Sequence, residues 1–326
     1  MKYPSLVVCF VLVALLGMGS SSVVAQKSAY PTKPIRWIVS YAPGTTGDIL
    51  ARALSPRVSE SFGQQVVVDN RGGANGNLGT AAGAKSSADG YTFLLAGNAS
   101  LSINPHVTPN LPYHPVKDFA PVILLGTVPL VLNAHPALPA KSVRELVLLA
   151  KTKPGHLNYA SGGNGTTTHL AGELLKMSAG IELTHIPYRT AAQAIIDLLG
   201  GQVPLMFTAV PTTLSHVRAG LLRAIAVTGA KRAPALPEVP ALAETLPGFE
   251  VTVWYGLLAP AGTAKDIVQR NFTEVTRTLQ TPEVRQQLGA QGVELSGMGP
   301  ERFAAFVKEE FTRWGKVVKA AGARPD

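Results

Sequence analysis

Cysteine is almost absent: Cys9 is the only one in 326 residues, and it lies in an amino-terminal apolar run. Long hydrophobic runs are absent too. Leu6 to Met18 is the longest, about a dozen residues against the roughly 20 needed to cross a bilayer, and no later stretch reaches that length without charge or proline. Lys2 ahead of that run and the small residues Val23-Val24-Ala25 after it form a secretory signal peptide, residues 1–25. Cys9 sits ahead of any plausible cleavage point, which argues against lipidation. Cleavage after Ala25 leaves no thiol, so the mature chain forms no internal disulfide and no thiolate metal site. Its stability must come from its core, and about 300 residues is enough for two domains.

Acidic residues are few. Twenty Asp and Glu face 29 Lys and Arg, a net charge of +9 that becomes +8 without Lys2. The cations are scattered, with no run beyond Lys231-Arg232 and no aromatic interleaving, so no nucleic-acid partner is expected. The excess suits a mild field drawing small anions, or plain solubility. The seven histidines include no i, i+4 pair, and no metal is expected.

What the chain does contain is alternation. Short β-rich apolar runs trade places with amphipathic segments along nearly all of the mature length, the pattern of parallel sheets with helical crossovers. Ile35–Tyr41 reads as a strand and Ile49–Phe62 as a helix that Gly63 ends. Pro56 should kink that helix or restart it with Ser55 as cap. Gln65–Val68 and Tyr91–Ala96 read as strands, and Arg71–Gly79 between them as a packing loop. A second unit begins near Val128. Its strands are expected near residues 157–160, 183–186, 203–207 and 223–227, its helices near 142–151, 169–177, 191–199 and 212–219. A proline-rich connection, 233–247, precedes a strand at 251–258 and helices at 265–279, 282–289 and 300–320. The apolar segments Val122–Asn133 and Val251–Pro260 are natural crossings between domains, and two crossings make a hinge.

Strand-to-helix turns are where open α/β sheets bind anions, because helix amino ends offer free N–H groups and a positive dipole. Tyr41-Ala42-Pro43-Gly44-Thr45-Thr46-Gly47-Asp48 is one such turn. Asp48 reads as its N-cap, while the loop amides and the hydroxyls of Thr45 and Thr46 are candidate contacts. Asn158 to His169 is another, with Ser161, Gly163, Asn164 and Thr166 ahead of the helix. It lacks the lysine of a P-loop and the elbow pattern of a serine hydrolase, so it suits holding a carboxylate rather than breaking a bond. No nucleophile with its base, cofactor motif or catalytic residue is visible, and neither an enzyme nor a cofactor is expected.

Further motifs occur in order: Tyr30-Pro31-x-Lys33-Pro34-Ile35-Arg36, Ala42-Pro43-Gly44, Asp89-Gly90-Tyr91-Thr92, Leu111-Pro112-Tyr113-x-Pro115-x-Lys117-Asp118-Phe119, Pro187-Tyr188, Trp254-x-Gly256-Leu257, Ala259-Pro260-Ala261-Gly262-Thr263 and a late Trp314. With these the chain, nearly throughout its mature length, closely resembles the Bug family of periplasmic substrate-binding proteins of tripartite tricarboxylate transporters. The resemblance implies an α/β, two-domain periplasmic-binding-protein fold of Venus-flytrap, type II-like form, closing on a di-, tri- or aromatic carboxylate. Domain 1 would hold residues 26–129 plus 254–326, and domain 2 residues 130–253. It implies ligand contacts from the first loop (Tyr41, Gly44, Thr45, Thr46, Gly47, Asp48) and the turn after Ala96 (Asn98, Ser100). Others would come from Ser161, Gly163, Asn164, Thr166, His169, Tyr188, Thr208 and Ala209. The expected partners are the membrane subunits, with the chain itself a monomer in the periplasm. A protein presenting its ligand to a membrane receptor kinase would use the same fold and cleft, and neighbouring genes would tell the two apart.

Two departures from the family pattern stand out. Thr45 and Thr46 occupy a first loop that is commonly Gly-rich, and Thr208-Ala209 stands where the family commonly has Asp-Asn. Without a carboxylate at 208 to receive an ammonium, the expected ligand carries no amine.

Overall fold

The computed structural model describes residues 30–323, so the expected signal peptide and its cleavage point lie outside the described residues. Contacts separate Met1–Thr32 from a compact unit, Lys33–Asp326, which holds every element below. Of the first part only residues 30–32 are described, and they form no regular element.

The strands are β1 (Ile35–Val39), β2 (Val66–Asn70), β3 (Thr92–Gly97), β4 (Phe119–Ala134), β5 (Asn158–Ser161), β6 (Thr184–Pro187), β7 (Leu205–Ala209), β8 (Arg223–Val227), β9 (Thr252–Pro260) and β10 (Glu294–Met298). They follow the order β2-β1-β3-β9-β4-β7-β5-β6, with β8 and β10 also paired to β4. β1 runs parallel to β2 and β3, and β5 runs parallel to β6 and β7, as crossover helices require. β4 joins the two groups. Its residues Phe119–Pro129 pair with β9, while Leu130–Ala134 pair with β7 and β8. At 16 residues it is about three times an ordinary strand, long enough to serve both groups in turn.

Two apolar clusters follow the same division. Ile38, Leu94, Trp254, Leu258 and Phe303 pack on the first group of strands. Leu130, Leu132, Tyr159, Leu170, Phe207 and Trp314 belong to the second. The 22-residue helix Pro300–Ala321 serves both, giving Phe303 and Val307 to one cluster and Trp314 and Val318 to the other.

Several local expectations need correction. The first helix spans Thr46–Phe62, with Thr45 rather than Asp48 in the capping position, and Asp48 is its third residue. It runs through Pro56 without restarting at Ser55, and its missing N–H lies on a face that is exposed at Pro56. Arg71–Gly79 is not only a loop. It contains a 3₁₀ turn, Ala74–Gly76, and opens the helix Asn77–Ala84, whose glycines allow close approach: a Cβ on Gly83 would meet Leu94 at 3.0 Å. β10 was not foreseen. Its sequence, Glu-Leu-Ser-Gly-Met, lacks β-branched residues, and only its antiparallel pairing with β4 makes it a strand.

Candidate functional site

A cavity of about 280 Å³ opens where the carboxyl ends of β3, β5 and β7 meet the helices that follow them. Asn75 and Ala99 line it from the first group of strands. Gly162, Thr166, Thr167, Thr168, Ala191, Met206, Phe207, Thr208, Ala209 and Thr212 line it from the second, with Leu130 and Val253 from the connecting strands. No charged side chain is among them.

Three helices begin at this cavity. Thr166 caps Thr167–Ala179, accepting from His169 N at 3.3 Å; Thr190 caps Ala191–Leu199, accepting from Gln193 N at 3.3 Å; Ala209 precedes Val210–Arg218, which has proline in its first turn. The first intrahelical bond of Thr167–Ala179 is Leu170 N to Thr166 O, 3.0 Å, so the amides of Thr167 and Thr168 come before it. Each helix start carries about half a positive charge, and together they make a neutral-walled cavity attractive to an anion.

Two hydroxyls on the wall, those of Thr166 and Thr168, are mutually engaged. Thr166 Oγ1 donates its proton to Gly163 O at 2.7 Å, so Thr168 Oγ1, 3.0 Å from Thr166 Oγ1, donates to it and accepts from Gly162 N at 3.3 Å. Backbone amides and the Thr167 hydroxyl, whose oxygen accepts from Asn98 Nδ2, are the donors left for a ligand, rather than these two hydroxyls. On the facing wall Thr208 is 3% exposed. Its Oγ1 accepts from Asn133 Nδ2 at 2.8 Å and shares a proton with Thr213 Oγ1 at 2.7 Å.

Of the expected contact residues, Thr166, Thr208 and Ala209 line the cavity. Asn98 stands just behind, fully buried, its Nδ2 donating to Thr167 Oγ1 at 3.2 Å and so tying β3 to the Thr167 helix start. Gly163 and Asn164 shape the loop, Gly163 with φ of 121°. The others are turned to structural work. Ser100 Oγ accepts from Thr80 Oγ1, 2.8 Å, and its carbonyl accepts from Tyr113. Ser161 is fully enclosed and bonded to Gly163 and His185. His169 Nδ1 accepts from Gly165 N at 3.1 Å. Tyr188 donates to Asp197 at 2.7 Å, and burial together with that carboxylate pushes its phenol up to about 12.

The first loop does not line this cavity. Gly44 and Thr45 are exposed, and Thr45 Oγ1 turns back to donate to Ala42 O at 2.7 Å. Asp48 holds the loop's shape: it accepts from Gly44 N (2.9 Å), Arg52 Nε (2.8 Å) and Asn70 Nδ2 (3.0 Å). Burial pushes its carboxyl up, but the bonds from Gly44, Asn70 and Arg52 together hold it below the usual range. Gly47 lies under the Tyr41 ring, which leans on Tyr255 at 5.3 Å between centroids, while Thr46 hydrogen-bonds Tyr255. Burial, then the neighbouring Tyr255, keeps the Tyr41 phenol well above its ordinary value.

Asn75, Ala99 and Thr212 are wall residues that the sequence did not single out. Asn75 comes from the segment read as packing, where it adopts left-handed backbone (φ 52°, ψ 36°), a conformation asparagine tolerates. That Asn-Gly step inside a glycine-rich run was the available signal.

The chain is similar in sequence and fold to known proteins. The family model for the tripartite tricarboxylate transporter family receptor matches residues 50–323. Protein BugT of Bordetella pertussis is 37% identical over 319 residues, 96% of this chain and 98% of its own length. An R. palustris protein solved with adipate is 37% identical, with a TM-score of 0.82 over 91% of this chain and all of that one. MatC from Rhodopseudomonas palustris, solved with bound malate, is 30% identical, with a TM-score of 0.77 over 89% of this chain and all of its own. This chain belongs to the Bug family, the receptors of tripartite tricarboxylate transporters, and so has the periplasmic-binding-protein fold and is a solute-binding protein, not an enzyme.

Proposed function

We propose that the chain captures a small di-, tri- or aromatic carboxylate without an ammonium group, in the periplasm, and hands it to the membrane subunits of a tripartite tricarboxylate transporter. The observation that carries this is the convergence of three helix amino ends on a cavity with no charged side chain. An ammonium there would lose its hydration, meet positive dipoles and find no carboxylate, at a cost of several kcal/mol. A carboxylate instead gains charge-assisted bonds of roughly 1.5–3 kcal/mol each. Three or four of them, less the ordering cost, supply the ~8 kcal/mol that micromolar affinity needs. The related structures with adipate and malate support the class.

The closing motion on this reading bends β4 near Pro129 and β9 near Val253, between a lobe of residues 26–129 plus 254–326 and a lobe of 130–253. The receptor acts as a monomer after removal of residues 1–25. Calorimetry against adipate, malate and benzoate, with aspartate and glutamate as contrasts, tests the ligand class. Micromolar binding of the amino acids with no response to the other acids would sink it.

A further inference from the structure

Behind the cavity wall lies a buried cluster of titratable groups that ligand contact does not use. Ser161 ends β5, and its Oγ lies 2.6 Å from Nε2 of His185 on the neighbouring β6. The His185 ring stacks on His169 at 4.0 Å between centroids, the planes 17° apart, and on Tyr159 at 5.0 Å. The helix Thr167–Ala179 adds Glu173 and Lys176. Glu173 Oε1 accepts from Tyr159 OH at 2.7 Å and Lys176 Nζ at 3.1 Å, and lies 4.0 Å from His169 Nε2.

Proton counting assigns the directions. Ser161 Oγ donates its one proton to Gly163 O at 3.1 Å, and accepts from Gly163 N at 3.1 Å. The short bond to His185 is therefore donated by His185 Nε2–H. In this tautomer the imidazole is neutral, and the environment keeps it so: burial, then His169 and Lys176, lower it to about 3. Ser161 thus grips both backbone groups of Gly163, whose φ of 121° is open to glycine because it has no Cβ, and His185 orients the grip. The adjoining Gly162 lines the cavity.

We propose that His185 is a positioning residue, acting through Ser161 to hold the Gly162–Gly163 backbone in the geometry that receives the ligand; this rests on the cavity being the carboxylate site. The stacked ring sets the direction of the bond, and the helix start at Thr167 inherits its place from the loop that the bond holds.

The test uses the mature protein with adipate as probe and the variants His185→Phe, which keeps a flat ring without the donor, Ser161→Ala, the double variant, and His185→Gln, which restores a donor. Adipate affinity should fall about tenfold in either single variant and no further in the double, and His185→Gln should recover to within threefold. Amide hydrogen exchange in the ligand-free protein supplies an independent arm. The Gly163 amide should exchange at least tenfold faster in His185→Phe, with Gly165, β5 and β7 unchanged. If the native protein binds none of the acids, the carboxylate reading fails while the exchange arm still judges His185. Wild-type exchange at Gly163 together with wild-type affinity in His185→Phe would overturn the proposal. So would acceleration spread over β5 and β7, which marks a general packing role. Should His185→Phe not fold, Ser161→Ala, which removes one oxygen, carries both readouts.

Discussion

Replacing Thr208 by aspartate puts a negative charge on the cavity wall where the cavity has none. The side chain at 208 is 3% exposed and already receives Asn133 Nδ2, so a carboxylate would have a donor and little water. Two carboxylates about 5 Å apart at an effective dielectric of about 20 repel by roughly 3 kcal/mol, which is more than 100-fold in affinity. Calorimetry of adipate binding at pH 8 should show that loss in Thr208→Asp. The new acid is buried next to a bound anion, so its pKa in the complex is raised, and protonation relieves the repulsion. Affinity in the variant should therefore climb as pH falls to 5, faster than in the native protein. Thr208→Val, which keeps the shape and removes only the hydroxyl, should cost no more than about tenfold, the range of one neutral hydrogen bond. Thr208→Asp binding adipate within threefold of native at pH 8 would refute an anion site at this wall.

Other outcomes follow from the packing and the charges. Gly172→Ala, ordinarily worth up to about 1 kcal/mol in a helix, should here destabilise by about 1–3 kcal/mol in urea unfolding, because its Cβ would overlap the Tyr159 ring that Glu173 holds in place. Asp48→Asn should lower stability at neutral pH by about 1–3 kcal/mol, since Gly44, Asn70 and Arg52 lose a charged acceptor. The Asp48 carboxyl is depressed in the folded state, so its contribution is complete above the unfolded value near 3.9 and disappears as pH drops through the lower folded value. Unfolding free energies of the two proteins should accordingly converge on acidification below about pH 4. Mass spectrometry of the exported protein should find an amino terminus at Gln26; a chain still starting at Met1 contradicts cleavage.

The α/β pattern was open to inspection because burial imposes periodicity. Ala191–Leu199 and Lys265–Leu279 are amphipathic, β8 is a compact apolar run, and Gly63 and Gly180 stop their helices in left-handed backbone. The strand-to-helix turns that form the cavity were visible for a related reason, since small donors cluster where a helix must begin. Pairing decided what pattern could not. β10 is a strand because Glu294 and Leu295 lie against Thr127 and Gly126, and Asn77–Ala84 is a helix although its composition resembles a loop. Asp48 looked like a cap, and only the fold shows it gathering Gly44, Arg52 and Asn70.

The first loop and the Ser161–His169 loop looked equivalent in sequence, each a run of small polar residues before a helix. By itself the sequence determined that anion-holding turns exist, because local chemistry suffices to cap a helix and free its amides. Tertiary structure decided which of them share a cavity and which side chains stand behind it. Asn133 reaches Thr208 across 75 residues, and His185 reaches Ser161 from the next strand. Such partners depend on strand order, and strand order is set by burial of the whole chain rather than by any segment of it.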